Sequence, residues 1–135
     1  MKKNIILIFL TTVILQSCAV KQQPGSMDIS GPWNLKSINS TSINTAGKTP
    51  SLKFQPAENK VFGFGGCNQF SGSVEIKSNR IKFGALISTK MACPALETET
   101  DFLRIISNNE MDFLISGRKL TLSNGQDTLI FKKTD

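Results

Sequence analysis

The sequence predicts an α+β fold that is mostly β: a single small domain, built as a curved antiparallel β-meander or partial barrel with one helix packed on it. Three observations predict this. Apolar residues alternate with polar ones at Trp33 and Leu35, in most runs from Leu52 to Phe83 and again in runs from Met111 to Phe131, the pattern of strands with one buried and one wet face. The runs are separated by short turns such as Ser78-Asn79 and Asn124-Gly125, which leave room for hairpins but not for crossovers. At Pro94 the spacing changes to that of a helix.

The elements follow in chain order. Gly31-Pro32 is a turn signal, after which Trp33 and Leu35 alternate with Asn34 and Lys36; the domain is expected to begin near Ile29, with Trp33 as a core anchor. Ser40 to Pro50, rich in Ser, Thr and Asn, is the longest candidate loop and a place for ligand contact. Leu52 and Phe54 share one face. After a turn at Pro56 to Asn59, Phe62 and Phe64 share another. Val74 and Ile76 alternate with Ser73, Glu75 and Lys77, and Ile81 and Phe83 alternate with Arg80 and Lys82. Gly63, Gly65, Gly66 and Gly72 cluster around Cys67, and glycines in strand patterns mark bulges, bends or close backbone approach. Cys93 is expected to end a strand just before the helix.

The helix is expected over residues 95–108. Leu96, Phe102, Leu103 and Ile106 sit near helical spacing, Pro94 suits a first turn, and Glu97, Glu99 and Asp101 suit the positive end of the helix dipole. Asn108-Asn109 suits a stop. Strands then resume through Met111, Phe113 and Ile115, through Leu120 and Leu122, and through Leu129 and Phe131. The helix is expected to cover an open side of the sheet.

Lys2 and Lys3 precede the apolar run Ile5 to Leu15, which is shorter than the ~20 residues a membrane-spanning helix needs. The run ends in Leu15-Gln16-Ser17-Cys18, which resembles a bacterial lipoprotein lipobox. On that reading residues 1–17 are a signal peptide, Cys18 carries lipid, 18–28 is a tether containing Pro24-Gly25-Ser26, and 29–135 is the domain. Ala19, not Asp, follows the cysteine, and the sorting rule of enteric bacteria then places the protein on the outer membrane facing the periplasm. Several acyl chains on one cysteine make attachment effectively permanent.

The full chain has 16 basic and 10 acidic residues, and cleavage at Cys18 removes Lys2 and Lys3, so the formal charge falls from +6 to +4. The basic residues are scattered, with no stripe of interleaved aromatics, which argues against nucleic acid as a partner. Of three cysteines, one goes to lipid. The even pair left, Cys67 and Cys93, lies in a compartment that permits disulfides and is expected to be bonded; the alternative is two buried free thiols.

The chain has no histidine and no tyrosine, which removes the commonest general base, the Ser-His and Cys-His nucleophile pairs and histidine metal sites. No cofactor is expected. Gly63-Phe64-Gly65-Gly66 lacks the Gly-Lys-Ser/Thr ending of a phosphate loop. Glu97 and Asp101 share a helical face, and paired carboxylates are the tools of glycoside hydrolysis, but the dipole explains acids in a first turn. Phe62, Phe64, Phe70, Phe83, Phe102, Phe113 and Phe131 read as core filling in preference to the lining of a ligand cup. Asn68 and Ser71 are expected to bond nearby backbone in a turn.

Gly66-Cys67-Asn68-Gln69-Phe70-Ser71-Gly72, then Ile81 to Leu86, then Ser88-Thr89-Lys90-Met91-Ala92-Cys93-Pro94, then Glu99 with Phe102-Leu103, together resemble the META domain family, which includes HslJ-like bacterial heat-shock proteins. The resemblance spans about residues 29–133 and singles out Gly66, Cys67, Asn68, Phe70, Gly72, Thr89, Lys90, Met91, Cys93 and Glu99. Lys90 stands where the family often has arginine, and a lysine does not reproduce the arginine fork. The resemblance implies a small antiparallel β-domain with one helix, exported or lipid-anchored, associated with heat shock and with no established reaction.

The function expected is that of a noncatalytic, lipid-anchored envelope protein in stress response or maintenance. Its partners would be the membrane, through lipid on Cys18, and an envelope protein or small apolar ligand; it is expected to act as a monomer. The other reading is a protein inhibitor of a hydrolase such as a lysozyme or protease, presenting a rigid loop at Ser40 to Pro50 or around Lys90.

Overall fold

The computed structural model describes residues 28–44 and 48–135. The signal peptide, Cys18 and the tether as far as Met27 lie outside the described residues, as do residues 45–47 of the expected long loop.

Nine strands follow one another: β1 (Gly31–Ile38), β2 (Thr41–Ser42), β3 (Ser51–Gln55), β4 (Lys60–Phe64), β5 (Gln69–Lys77), β6 (Arg80–Ser88), β7 (Glu110–Ser116), β8 (Lys119–Ser123) and β9 (Thr128–Lys133). A 3-10 turn, Pro56–Glu58, joins β3 to β4, and one helix, α1 (Leu96–Ile106), lies between β6 and β7. Every pairing between strands is antiparallel; from β3 to β9 each strand pairs with the next, β1 pairs with both β2 and β3, and β1 also pairs with β9 from Trp33↔Lys133 to Ile38↔Leu129. That last ladder closes eight strands into a barrel, with β2 as a short addition to β1. The meander expected from the turn lengths is therefore a complete barrel. The ladders shift register at two places, Leu35/Ser37 of β1 against Phe131/Ile130 and Gly72/Val74 of β5 against Leu86/Phe83; the extra residue lies in β1 at the first and in β6 at the second, and such bulges bend a strand.

The wall is weakest between β6 and β7, which pair only through Arg80–Lys82 and Glu110–Asp112. There α1 enters. Its Phe102, Ile105 and Ile106 are fully buried, so the helix plugs the barrel. Phe102 sits between Phe70 and Phe131, with ring centroids at 5.8 and 6.0 Å. Together with buried Trp33, Leu35, Phe54, Ile81, Phe83 and Leu120 these side chains form one core, each contributing on the order of 1.5–3 kcal/mol by leaving water. Trp33 also donates its indole N–H to the carbonyl of Ile29 at 2.8 Å. Just before it, hydrogen bonds from the Ser30 side chain and amide hold the Asp28 carboxyl below its ordinary range.

Three expectations need correction. In β4 it is Val61 that faces the core, while Phe62 points outward at 36% exposure; a period of two names two faces without saying which is inside, and the larger residue misleads. β6 ends at Ser88, not Cys93, because beyond that point the chain leaves the ladder for side-chain partners described below. The helix runs from Leu96 to Ile106, shorter at each end than residues 95–108. Ala95 offers no capping side chain. At the other end Asn108 turns left-handed at φ 56, and the Asn109 side-chain amide donates to the Ile105 carbonyl at 2.9 Å, stopping the helix.

In an up-and-down barrel, alternate connections lie at the same end. The β4–β5 turn and the β6–α1 segment share one end with β1–β3 and β8–β9; the start of β1 and the end of β9 lie at the other.

Candidate functional site

At the first of these ends the chain makes a tight turn from β4 into β5. Gly65 N–H donates to the Asn68 carbonyl at 2.8 Å, and Gly66 adopts φ +118, a conformation that side chains rarely take. A Cβ on Gly65 would strike the Glu99 side chain; the glycine is what lets the turn come down onto the helix.

Glu99 lies in the first turns of α1 and is buried, 4% exposed, although it is an acid. Its Oε2 accepts the backbone N–H of Cys67 at 3.0 Å and of Asn68 at 2.5 Å, and its Oε1 accepts from Asn68 Nδ2 at 2.7 Å. Charge-assisted hydrogen bonds of this kind are what make a buried carboxylate tolerable. Asn68, 1% exposed, is equally occupied. Besides Glu99, Nδ2 donates to the Met91 carbonyl at 3.1 Å, while Oδ1 accepts from Thr89 Oγ1 at 3.0 Å and from the Met91 amide at 2.7 Å. All four hydrogen-bonding positions of the amide are filled. The disulfide Cys67–Cys93, with Cα atoms 5.9 Å apart, closes the same unit covalently.

Gly66, Cys67, Asn68, Thr89, Met91, Cys93 and Glu99 thus converge from three parts of the chain. The remaining residues named from the sequence do not join them. Phe70 belongs to the core against Phe102, Gly72 lies farther along β5 opposite Leu86, and Lys90 points into solvent with no ion pair among the described residues. Two roles differ from expectation. The Asn68 side chain does not bond within its own turn but binds residues 21 to 31 positions away, and Glu99 does not merely face a dipole. A signal for Glu99 existed: it lies three and seven residues before Phe102 and Ile106, on the apolar stripe of the helix.

Asn68 thus has every polar position filled, and Glu99 accepts two N–H groups on Oε2 and one on Oε1. Among the described residues no group of three or more His, Cys, Asp or Glu side chains could share a metal ion, and no helix is long and apolar enough to cross a membrane. Through Asn68 the clamp fixes the Ser88 to Ala92 segment relative to α1, bonding Thr89 and Met91 on one side and Glu99 on the other. Between segment and helix lies an open cleft of about 600 Å³, floored by Met91, Leu96 and Leu103 and edged by Lys90 and Arg104. Met91 and Leu96 are 62% and 42% exposed. Arg104 reaches Asp101 at 3.8 Å and Asp127 at 3.9 Å. Sequence reasoning missed the cleft, since nothing in the residue pattern orients the Ser88 to Ala92 segment relative to the face of α1.

Glu99→Gln tests the clamp with little change of shape. The amide oxygen can still accept from the backbone of Cys67 and Asn68, without the charge, but its NH₂ then faces the Asn68 NH₂, so one of the three bonds is lost and the other two become neutral. Urea denaturation should show a loss of about 2 kcal/mol, and an unchanged midpoint would mean that the Glu99–Asn68 contact contributes nothing.

Comparison with known proteins comes to the same domain. The META domain family model matches residues 27–135. A solved structure described as an NMR structure of a protein aligns with TM-score 0.63 and 21% identity over 76% of this chain and 88% of its own. A second, an NMR structure of a protein from Burkholderia xenovorans, aligns with TM-score 0.62 and 23% identity over 78% of this chain and 82% of its own. At these identities the two share the fold. No curated protein matches.

Proposed function

The chain belongs to the META domain family, and from that premise we propose that it is a noncatalytic, lipid-anchored protein of the bacterial cell envelope, serving stress response or envelope maintenance by binding another component in the cleft beside α1. The observation that carries the binding role is how the polar groups of the clamp are spent on one another. Asn68, Glu99 and the disulfide fix the Ser88 to Ala92 segment, and the surface they maintain is apolar with a cationic edge.

The anchor is supported by Leu15-Gln16-Ser17-Cys18 after a short apolar run. Chain parity adds a consequence: β1 starts at the barrel end opposite the cleft, so lipid on Cys18 would turn the cleft away from the bilayer. Residues 19–28 could span at most about 35 Å. Cys18→Ala should move the protein from the membrane to the soluble fraction of envelope preparations, and mass spectrometry should lose the acyl chains. Unchanged fractionation would refute the anchor.

A further inference from the structure

The wall of the barrel beside the cleft is a strand edge with unused backbone. Thr89 N–H donates to the Gln69 carbonyl at 3.1 Å, and Ser71 pairs with Ile87 and Gly72 with Leu86. Backbone groups alternate sides along an antiparallel strand, so those of Ile87 and Thr89 face β5 while those of Leu86 and Ser88 face the opposite edge. On that edge β7 pairs only as far as Lys82. The chain after α1 extends the pairing a little: Phe83 N–H donates to the Asn109 carbonyl at 2.9 Å and the Gly84 carbonyl accepts from Asn108 at 3.1 Å. Leu86 N–H then meets only the Ser107 hydroxyl at 3.4 Å. By this alternation the Leu86 carbonyl and both backbone groups of Ser88 point away from β5, and among the described residues none of them has a backbone partner beyond the strand ladders.

Opposite this edge stands one face of α1, presenting Leu96, Thr100, Leu103, Arg104 and Ser107. The helix has 11 residues, about 16 Å, which matches about five residues of extended chain. We propose that the open edge of β6 and this face of α1 form a docking groove that takes an extended, apolar peptide segment of another protein as an added strand, with an acidic side chain or terminal carboxylate beside Lys90. The proposal deepens the binding role given above and rests on it, but not on the anchor at Cys18.

Two observations select this occupant. Free amide and carbonyl groups in strand register ask for a backbone partner, which an acyl chain does not have. Lys90 carries no ion pair among the described residues, and the Glu99 carboxylate, which also lines the cleft, already accepts three N–H donors. Arg104 adds a cation held only by long pairs to Asp101 and Asp127. The apolar floor of Met91, Leu96 and Leu103 would receive alternate side chains of the incoming strand.

The test uses the full chain in phospholipid nanodiscs and a fluorescein-labelled pool of hexapeptides in which Val, Ile, Leu or Phe alternates with Ser, ending in a free carboxylate. Anisotropy should show saturable binding above that of empty nanodiscs, and hydrogen exchange across residues 84–90 should slow. Ser88→Pro removes an amide that points away from β5, and proline is tolerated at such an edge. It should weaken binding about tenfold with an unchanged melting temperature, and Lys90→Glu should do likewise. If Ser88→Pro does melt early, Lys90→Glu together with the exchange data decides. Absence of saturable binding at about 1 mM overturns the proposal. So does displacement of the pool by laurate with Ser88→Pro binding as tightly as the original chain, which would mark an acyl site. Slowed exchange that appears on raising the protein concentration alone would mark a second copy as the occupant and overturn it too.

Discussion

Asn68→Asp should destabilise the domain by about 3–5 kcal/mol at neutral pH, one of the two largest effects expected of any change at this site. The substitution keeps the shape and removes the NH₂ group, which donates to both the Met91 carbonyl and Glu99 Oε1. In place of a donor 2.7 Å from the Glu99 carboxylate it puts a second carboxylate oxygen, in a position that is 1% exposed. Like charges at that separation, out of water, drive one of the pair to take up a proton. The sign of the pH dependence follows. The introduced carboxyl binds its proton more tightly in the folded chain than in the unfolded one, so the loss is full above its folded value and shrinks as pH falls through it, when a protonated acid can again donate to Glu99. Urea denaturation of the variant and the original chain at pH 7 and pH 5 measures this. A loss below about 1 kcal/mol at pH 7, or one that grows on acidification, would mean that Asn68 is not the hub described.

The contrast between what the chain pattern announces and what it conceals is clearest at this residue. Strand alternation, the turns at Ser78-Asn79 and Asn124-Gly125, and the helix after Pro94 are local properties, written in spacings of two to four residues. They are visible without any knowledge of tertiary contacts, and their order already implies a meander. Closure is not local: the β1–β9 ladder joins residues nearly a hundred positions apart, and no periodicity distinguishes a barrel from an open sheet. The same limit applies to the site. Cys67 and Cys93 could be paired by counting, whereas the partners of Asn68 at Thr89, Met91 and Glu99 depend on how the β6–α1 segment folds back over the β4–β5 turn. A helix dipole and a local turn were sufficient physical explanations for Glu99 and Asn68 taken singly, and each was superseded because a buried polar group must find its partner wherever the chain brings one. Phe62 makes the converse point, since its size suggested burial but the strand's register assigned the inner face to Val61.

Replacing both cysteines, Cys67→Ser with Cys93→Ser, should cost about 3.5 kcal/mol, the chain-entropy value for a loop of the 26-residue separation seen here. The loss should be coupled to that of the Asn68 network, because the disulfide and the Asn68 hydrogen bonds restrain the same segment from two sides. Once Thr89 to Cys93 is freed covalently, the bonds to Thr89 and Met91 must bear the cost of ordering it. Asn68→Ala should therefore cost a different amount in the cysteine-free chain than in the original, by about 0.5–3 kcal/mol in a double-mutant cycle. Hydrogen exchange should localise the effect, with faster exchange from Thr89 to Ala95 and little change in the Phe102, Phe131 and Trp33 core, which is closed by packing and the β1–β9 ladder. Thiol titration of the denatured, unreduced chain separates this from a trivial outcome: two reactive thiols from Cys67 and Cys93 would show that the bond is absent in solution, and the predicted loss would vanish with it. Faster exchange spread evenly over the barrel would instead mean that the disulfide supports the whole fold rather than the cleft-forming segment.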